Sequence, residues 1–91
     1  MLHLVAYDIA DPKRLRLVAR ICENYGYRVE KSVFECNLND DQFRALWRDL
    51  NAIIDTEEDA LVAYRICRAC LEEIQTAGCV IRVEPPVAYI F

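Results

Sequence analysis

Asp8 closes the apolar run Leu4-Val5-Ala6-Tyr7 and is followed at once by Ile9-Ala10-Asp11-Pro12. A carboxylate at the exit of a hydrophobic strand is an oxygen ligand for a hard cation such as Mg2+, or an acid that caps the next turn. Spacing alone admits both. Asp11 reads differently. It precedes Pro12, and an aspartate at the N-cap with proline at the first helical position is a helix start. Lys13, Arg16 and Arg20 recur at i, i+3 and i+7, on one helical face with Arg14 nearby. That strip is either a solvated face or a contact surface for backbone phosphates. Cys67-Arg68-Ala69-Cys70 has zinc-like spacing, but no second pair or histidine follows and the only histidine is His3. A structural zinc is therefore not expected there. The loop Asp55-Thr56-Glu57-Glu58-Asp59 crowds its acids together but lacks the alternating ligands and central glycine of a calcium loop, so it reads as solvated.

These residues need elements to hold them. Residues 2–8 are mostly apolar and suit a central strand covered on at least one face. A helix follows from Asp11-Pro12, with its apolar stripe at Leu15, Val18, Ala19, Cys22 and Tyr25, and Gly26 is expected to end it in the left-handed conformation. Residues 27–38 read as extended. Val29, Lys31, Val33 and Glu35 alternate with Glu30, Ser32, Phe34 and Cys36, and neither set is purely apolar, so a kink or a partner surface is expected. Asn39 with Gln42 forms a capping box for a second helix, whose core stripe is Phe43, Leu46, Trp47, Leu50, Ile53 and Ile54. Residues 60–66 form the next strand, and residues 67–78 a helical turn ending at Gly78. Residues 79–84 form a further strand, Pro85-Pro86 a rigid break, and residues 87–91 a last, wholly apolar strand.

If residues 27–38 split in two, the order is β-α-β-β-α-β. The fold class is then α+β, a ferredoxin-like sandwich with an extra C-terminal strand, in one domain spanning residues 1–91. An apolar terminal strand left at an edge invites aggregation. Pairing of strand 87–91 with another subunit's sheet removes that edge, so a two-fold homodimer is expected.

Composition bounds the function. The net charge is −4, but residues 1–36 hold six bases against five acids and residues 37–91 five against ten. Any phosphate-binding face must lie in the N-terminal part. No run of roughly 18 apolar residues exists to span a membrane. No basic region precedes the N-terminal apolar stretch, so a cytoplasmic location is expected. The five cysteines are an odd number, and thiols in a reducing compartment fit better than disulfides.

The stretch YDIADPKRLRLVARICENYGYRVEKSVFEC (residues 7–36) closely resembles the N-terminal third of the small CRISPR-associated endonuclease and adaptation subunit, family two. Its hallmarks are Tyr7-Asp8-Ile9, the basic first helix, Gly26, and Arg28 leading into Ser32-Val33-Phe34-Glu35; Tyr64 to Cys70 and Gly78 carry the resemblance further. It implies a ferredoxin-like homodimer with divalent-metal-dependent endonuclease activity on RNA or DNA. It also implies a role in spacer acquisition, bridging dimers of a CRISPR-associated integrase (family one) and holding DNA. Asp8 matches the family's metal-binding acid; Arg28, Ser32 and Phe34 match positions near that site, beside Tyr7; Arg14 and Arg16 fall close to its helix arginines. Glu30 stands where many members have glutamine.

One carboxylate per chain makes a poor magnesium site, because magnesium usually takes one or two carboxylates plus waters and phosphate oxygens. A two-fold axis beside Asp8 would bring the second acid from the other subunit. His3 lies at the far end of the strand, roughly 16 Å away, and is excluded as a base. Arg28 is placed to stabilise charge developing on phosphate. Two function classes follow: a metal-dependent endonuclease centred on Asp8, and a non-catalytic architectural DNA-binding subunit relying on its arginines. A regulatory ligand-binding domain on the same fold is a remoter third.

Overall fold

A computed structural model describes residues 1–80. The strand expected over residues 79–84 falls almost wholly outside this range, and the Pro85-Pro86 break and strand 87–91 lie entirely outside it.

The elements are β1 (Leu2–Asp8), α1 (Pro12–Glu23), β2 (Tyr27–Glu30), β3 (Val33–Asn37), α2 (Asp40–Ile53), β4 (Ala60–Ile66) and the short α3 (Arg68–Glu72). The sheet order is β2-β3-β1-β4, with every neighbouring pair antiparallel. This is the α+β, ferredoxin-like arrangement, with β1 central and α1 and α2 crossing between non-adjacent strands.

Both long helices start where the side-chain chemistry places them. Asp11 accepts from the Arg14 N–H at 2.9 Å and Pro12 takes the first helical position. Asn39 and Gln42 form a reciprocal capping box at 2.8 and 2.9 Å, satisfying two backbone donors that would otherwise lack partners.

Residues 27–38 form two strands. Lys31-Ser32 is the turn, and the β2–β3 register shifts between Arg28 and Glu30. That irregularity explains why neither alternating set looked apolar: a bulge reassigns faces part-way along. Phe34 and Cys36 point to the helices and are fully buried with Val5, Val18, Cys22, Leu46 and Leu50. On the other face of the sheet, register and alternation place Asp8 with Ala6, Leu4, Val62 and Tyr64. Tyr64 is 59% exposed there.

Several expectations need correction. Gly26 does not end α1 in the left-handed region: the helix caps at Asn24 in right-handed geometry, and Gly78 is the only described glycine with positive φ. Gly26 is instead a point of close approach. A Cβ there would sit 2.2 Å from the Glu35 carbonyl oxygen and 2.6 Å from the Cys36 sulfur. α3 ends at Glu72, well before Gly78. Leu15 is largely exposed. Trp47 is only half-buried, at the end of an aromatic row in which it stacks on Phe43 at 5.6 Å and Phe43 on His3 at 4.4 Å.

Gly26→Ala forces β3 away from the α1–β2 corner. The expected loss is about 1–3 kcal/mol, typical of overpacking, read as a lower urea midpoint with unchanged slope.

Candidate active site at the end of the central strand

Asp8 is the last residue of β1. Its backbone pairs with Ala60 on β4, and on the other side the preceding Tyr7 N–H donates to the Ser32 carbonyl at 3.1 Å. The carboxylate therefore sits between the β2–β3 turn and the start of β4. It is exposed, and no hydrogen bond or ion pair among the described residues engages it. A shallow, largely apolar cavity of about 260 Å³ opens beside it, lined by Ala6, Tyr7, Asp8, Ala60, Leu61 and Val62.

The β2–β3 turn is pinned from beneath. The Lys31 carbonyl accepts from Arg28 Nη1 at 3.1 Å and from the Tyr7 hydroxyl at 3.4 Å. Arg28 also pairs with Glu23 at 3.3 Å, and its guanidinium carbon stands 5.2 Å from the centre of the Phe34 ring. Burial pushes the Tyr7 phenol upward in pKa, so it serves as a neutral donor. Tyr7, Arg28 and Phe34 are brought together at the Asp8 end of the sheet but on its helix face, opposite the Asp8 carboxylate, and Ser32 takes part there through its backbone carbonyl. Phe34 is fully buried and acts as the floor of the cluster, whereas Arg28 keeps 44% of its side chain exposed.

The loop that follows Asp8 is held by a residue that sequence reasoning missed. Asp59 has a fully buried side chain. It accepts from the Ala10 N–H at 2.9 Å, from the Asp55 N–H at 2.8 Å, and from Arg14 Nε and Nη2 at 2.8 and 3.2 Å. Arg14 adds a second pair to Glu58 at 3.1 Å. Residues 55–59 are therefore not simply a solvated acidic loop: their last acid ties α1, the β1–α1 loop and the start of β4 together. The local signal was the pair of aspartates bracketing a short turn, a habit of residues that bond their own backbone. The partner, Arg14, lies 45 residues away in sequence, and no spacing rule reaches that far.

The basic strip divides accordingly. Arg14 is committed to Asp59 and Glu58. The side chains of Lys13, Arg16 and Arg20 are exposed and take part in no hydrogen bond or ion pair among the described residues. His3 is buried at the opposite end of β1, stacked on Phe43, away from Asp8.

The donor set near Asp8 fits half of a cation site. A single free carboxylate is a suitable oxygen ligand, and no cluster of three histidine, cysteine or acidic side chains among the described residues makes a complete one. The family model for CRISPR associated protein Cas2 matches residues 1–74. The chain belongs to the Cas2 family. A Chloroflexus aurantiacus relative named CRISPR-associated endoribonuclease Cas2 1 is 43% identical over 79 residues, covering 86% of this chain and 85% of that protein. A Halalkalibacterium halodurans relative named CRISPR-associated endonuclease Cas2 is 45% identical over 71 residues, covering 72% and 74%. The crystal structure of Streptococcus pyogenes Cas2 superposes with a TM-score of 0.77 at 37% identity, over 86% of this chain and all of that one. A Thermus thermophilus hypothetical protein gives 0.80 at 33% identity, covering 91% and 96%. Within this Cas2-family chain, no helix among the described residues is long and apolar enough to cross a membrane.

Arg14 and the backbone N–H groups of Asp55 and Ala10 hold the Asp59 carboxyl well below the usual carboxylate range. Its stabilising effect is therefore complete above the unfolded carboxyl value of about 3.9 and is lost as pH falls toward the lower folded value. Thermal unfolding followed from pH 7 to pH 2 should show a midpoint that drops steeply below about pH 4. Asp59→Asn should lower the midpoint at pH 7 and make that acid limb shallower.

Proposed function

We propose that this Cas2-family chain is a divalent-cation-dependent endonuclease, acting on RNA or DNA as a homodimer in which each copy contributes one Asp8. The observation that carries the reading is the exposed Asp8 carboxylate, left unengaged at a strand end whose surroundings are otherwise tightly bonded. The curated relatives named as endonucleases and endoribonucleases support it.

Asp8 from each copy would hold Mg2+ or another divalent cation. When bound, such a cation polarises a phosphoryl oxygen and acidifies a coordinated water, giving a nucleophile without a nearby histidine. The remaining steps fall to this chain's own groups. Val62 and Tyr64, on the same face as Asp8, give a second copy an apolar surface to pack on, and a self-complementary two-fold contact turns one carboxylate into two. Arg28, anchored at the turn with part of its guanidinium exposed, offers fixed positive charge to a phosphate. Tyr7 and the Lys31 carbonyl keep that turn from shifting. In the cell this activity would serve spacer acquisition, alongside a CRISPR-associated integrase of family one in the cytoplasm.

A second reading, an architectural DNA-binding subunit, is favoured by Lys13, Arg16 and Arg20, three bases on the exposed face of α1 whose side chains pair with none of the described residues. One pair of variants separates the two. With purified protein and Mg2+, Asp8→Asn should abolish cleavage of duplex DNA and single-stranded RNA, because it removes the proposed cation ligand itself, with no change in unfolding temperature. Equal cleavage by the variant removes the catalytic reading. Arg16→Glu with Arg20→Glu should weaken duplex binding and lower the salt slope by about 0.9 for each phosphate no longer neutralised; unchanged binding and integration remove the architectural one.

A further inference from the structure

Cys67 and Cys70 are used by neither reading of the protein. Cys67 follows β4 and caps α3, its sulfur accepting the Cys70 N–H at 3.4 Å. Both residues are exposed. They lie at the start of α3, one turn apart, with only Arg68 and Ala69 between them. No third metal-ligating side chain joins them among the described residues, so the pair is a dithiol and not a cation cage.

We infer that Cys67 and Cys70 form a thiol–disulfide exchange site whose reaction partners are small disulfides of the glutathione class. The step balances as two successive displacements. The Cys67 thiolate attacks one sulfur of the incoming disulfide, breaking its S–S bond, forming a mixed disulfide and releasing one thiol. The Cys70 thiolate then attacks the Cys67 sulfur, forming the internal bond and releasing the second thiol. Two protein thiols are oxidised, one external disulfide is reduced to two thiols, and the protons lost by the cysteines pass to the departing thiolates through water.

The order of attack follows from the local bonding. The Cys70 backbone N–H donates to the Cys67 sulfur and favours its thiolate, whereas the neighbouring Cys67 sulfur pushes the Cys70 thiol up and keeps it protonated. The thiolate is the attacking species. The other cysteines divide clearly. Burial pushes Cys22 up to about 12 and Cys36 up to about 11, which leaves both inert. Cys79 is exposed and is the competitor that the test must exclude. Closing the pair to a disulfide of about 2.05 Å takes side-chain rotation within one turn of chain.

The full chain, fully reduced, is incubated with excess glutathione disulfide near neutral pH, free thiols are blocked, and trypsin is added. Trypsin cuts after Arg68, between the two cysteines, so the internal bond holds residues 66–68 to residues 69–82. The expected result is this linked pair in the wild-type chain and equally in Cys79→Ser. Cys70→Ser should instead stop with glutathione on Cys67, and Cys67→Ser should give no link. A wild-type chain that stays reduced, halts at glutathione adducts, crosslinks between chains, or loses its link in Cys79→Ser overturns the inference. None of these outcomes depends on nuclease activity.

Discussion

Four donors converge on the buried carboxylate of Asp59: two backbone N–H groups and two from the Arg14 guanidinium. A buried carboxylate is costly unless its lone pairs are occupied and its charge is answered. Here both conditions are met, by groups drawn from three separate parts of the chain. The Ala10 N–H belongs to the loop leaving β1, Arg14 to the first turn of α1, and the Asp55 N–H to the turn leading into β4. The position of Asp8, two residues before Ala10 and paired with Ala60, depends on this junction. Among the described residues the Asp8 carboxylate is exposed and unengaged, and its neighbours are not.

The same division runs through the whole sheet. Its helix face is filled by Val5, Phe34, Cys36 and the inward residues of α1 and α2. The opposite face carries Asp8 with Val62 and Tyr64 at its surface. An apolar face that also bears the free carboxylate of β1 suits an assembly in which docking and site formation are a single event. Under the proposed activity, a chain alone would hold half of a cation site, and the surface that needs covering would be the one that completes it.

The parts of this architecture set by neighbours in sequence were legible beforehand. Asp11-Pro12 and the Asn39–Gln42 box fix both helix starts, and the apolar run in residues 2–8 marks the central strand. The apolar spacing of α2 identified Leu46 and Leu50 correctly. Where long-range packing decides, spacing misleads. Gly26 looked like a helix terminator because glycine often is one, but what demands glycine is the backbone of β3 passing over it. Arg14 looked like one more base in a strip until Asp59 claimed it. Trp47 shares the helical period of core residues yet sits at the margin, at the outer end of the His3–Phe43 row. Asp8 itself was recognisable as an acid at a strand end; that no side chain or backbone group among the described residues bonds its carboxylate is a property of the folded surroundings.

Binding stoichiometry is the sharpest check on two Asp8 carboxylates together holding one divalent cation. Mn2+ titrated into the purified protein and followed by electron paramagnetic resonance should saturate at one ion per two chains. The Asp8→Asn protein, of the same assembly size, should lose that binding. Saturation at one ion per chain, or equal binding by the variant, would contradict a cation shared across the two-fold axis.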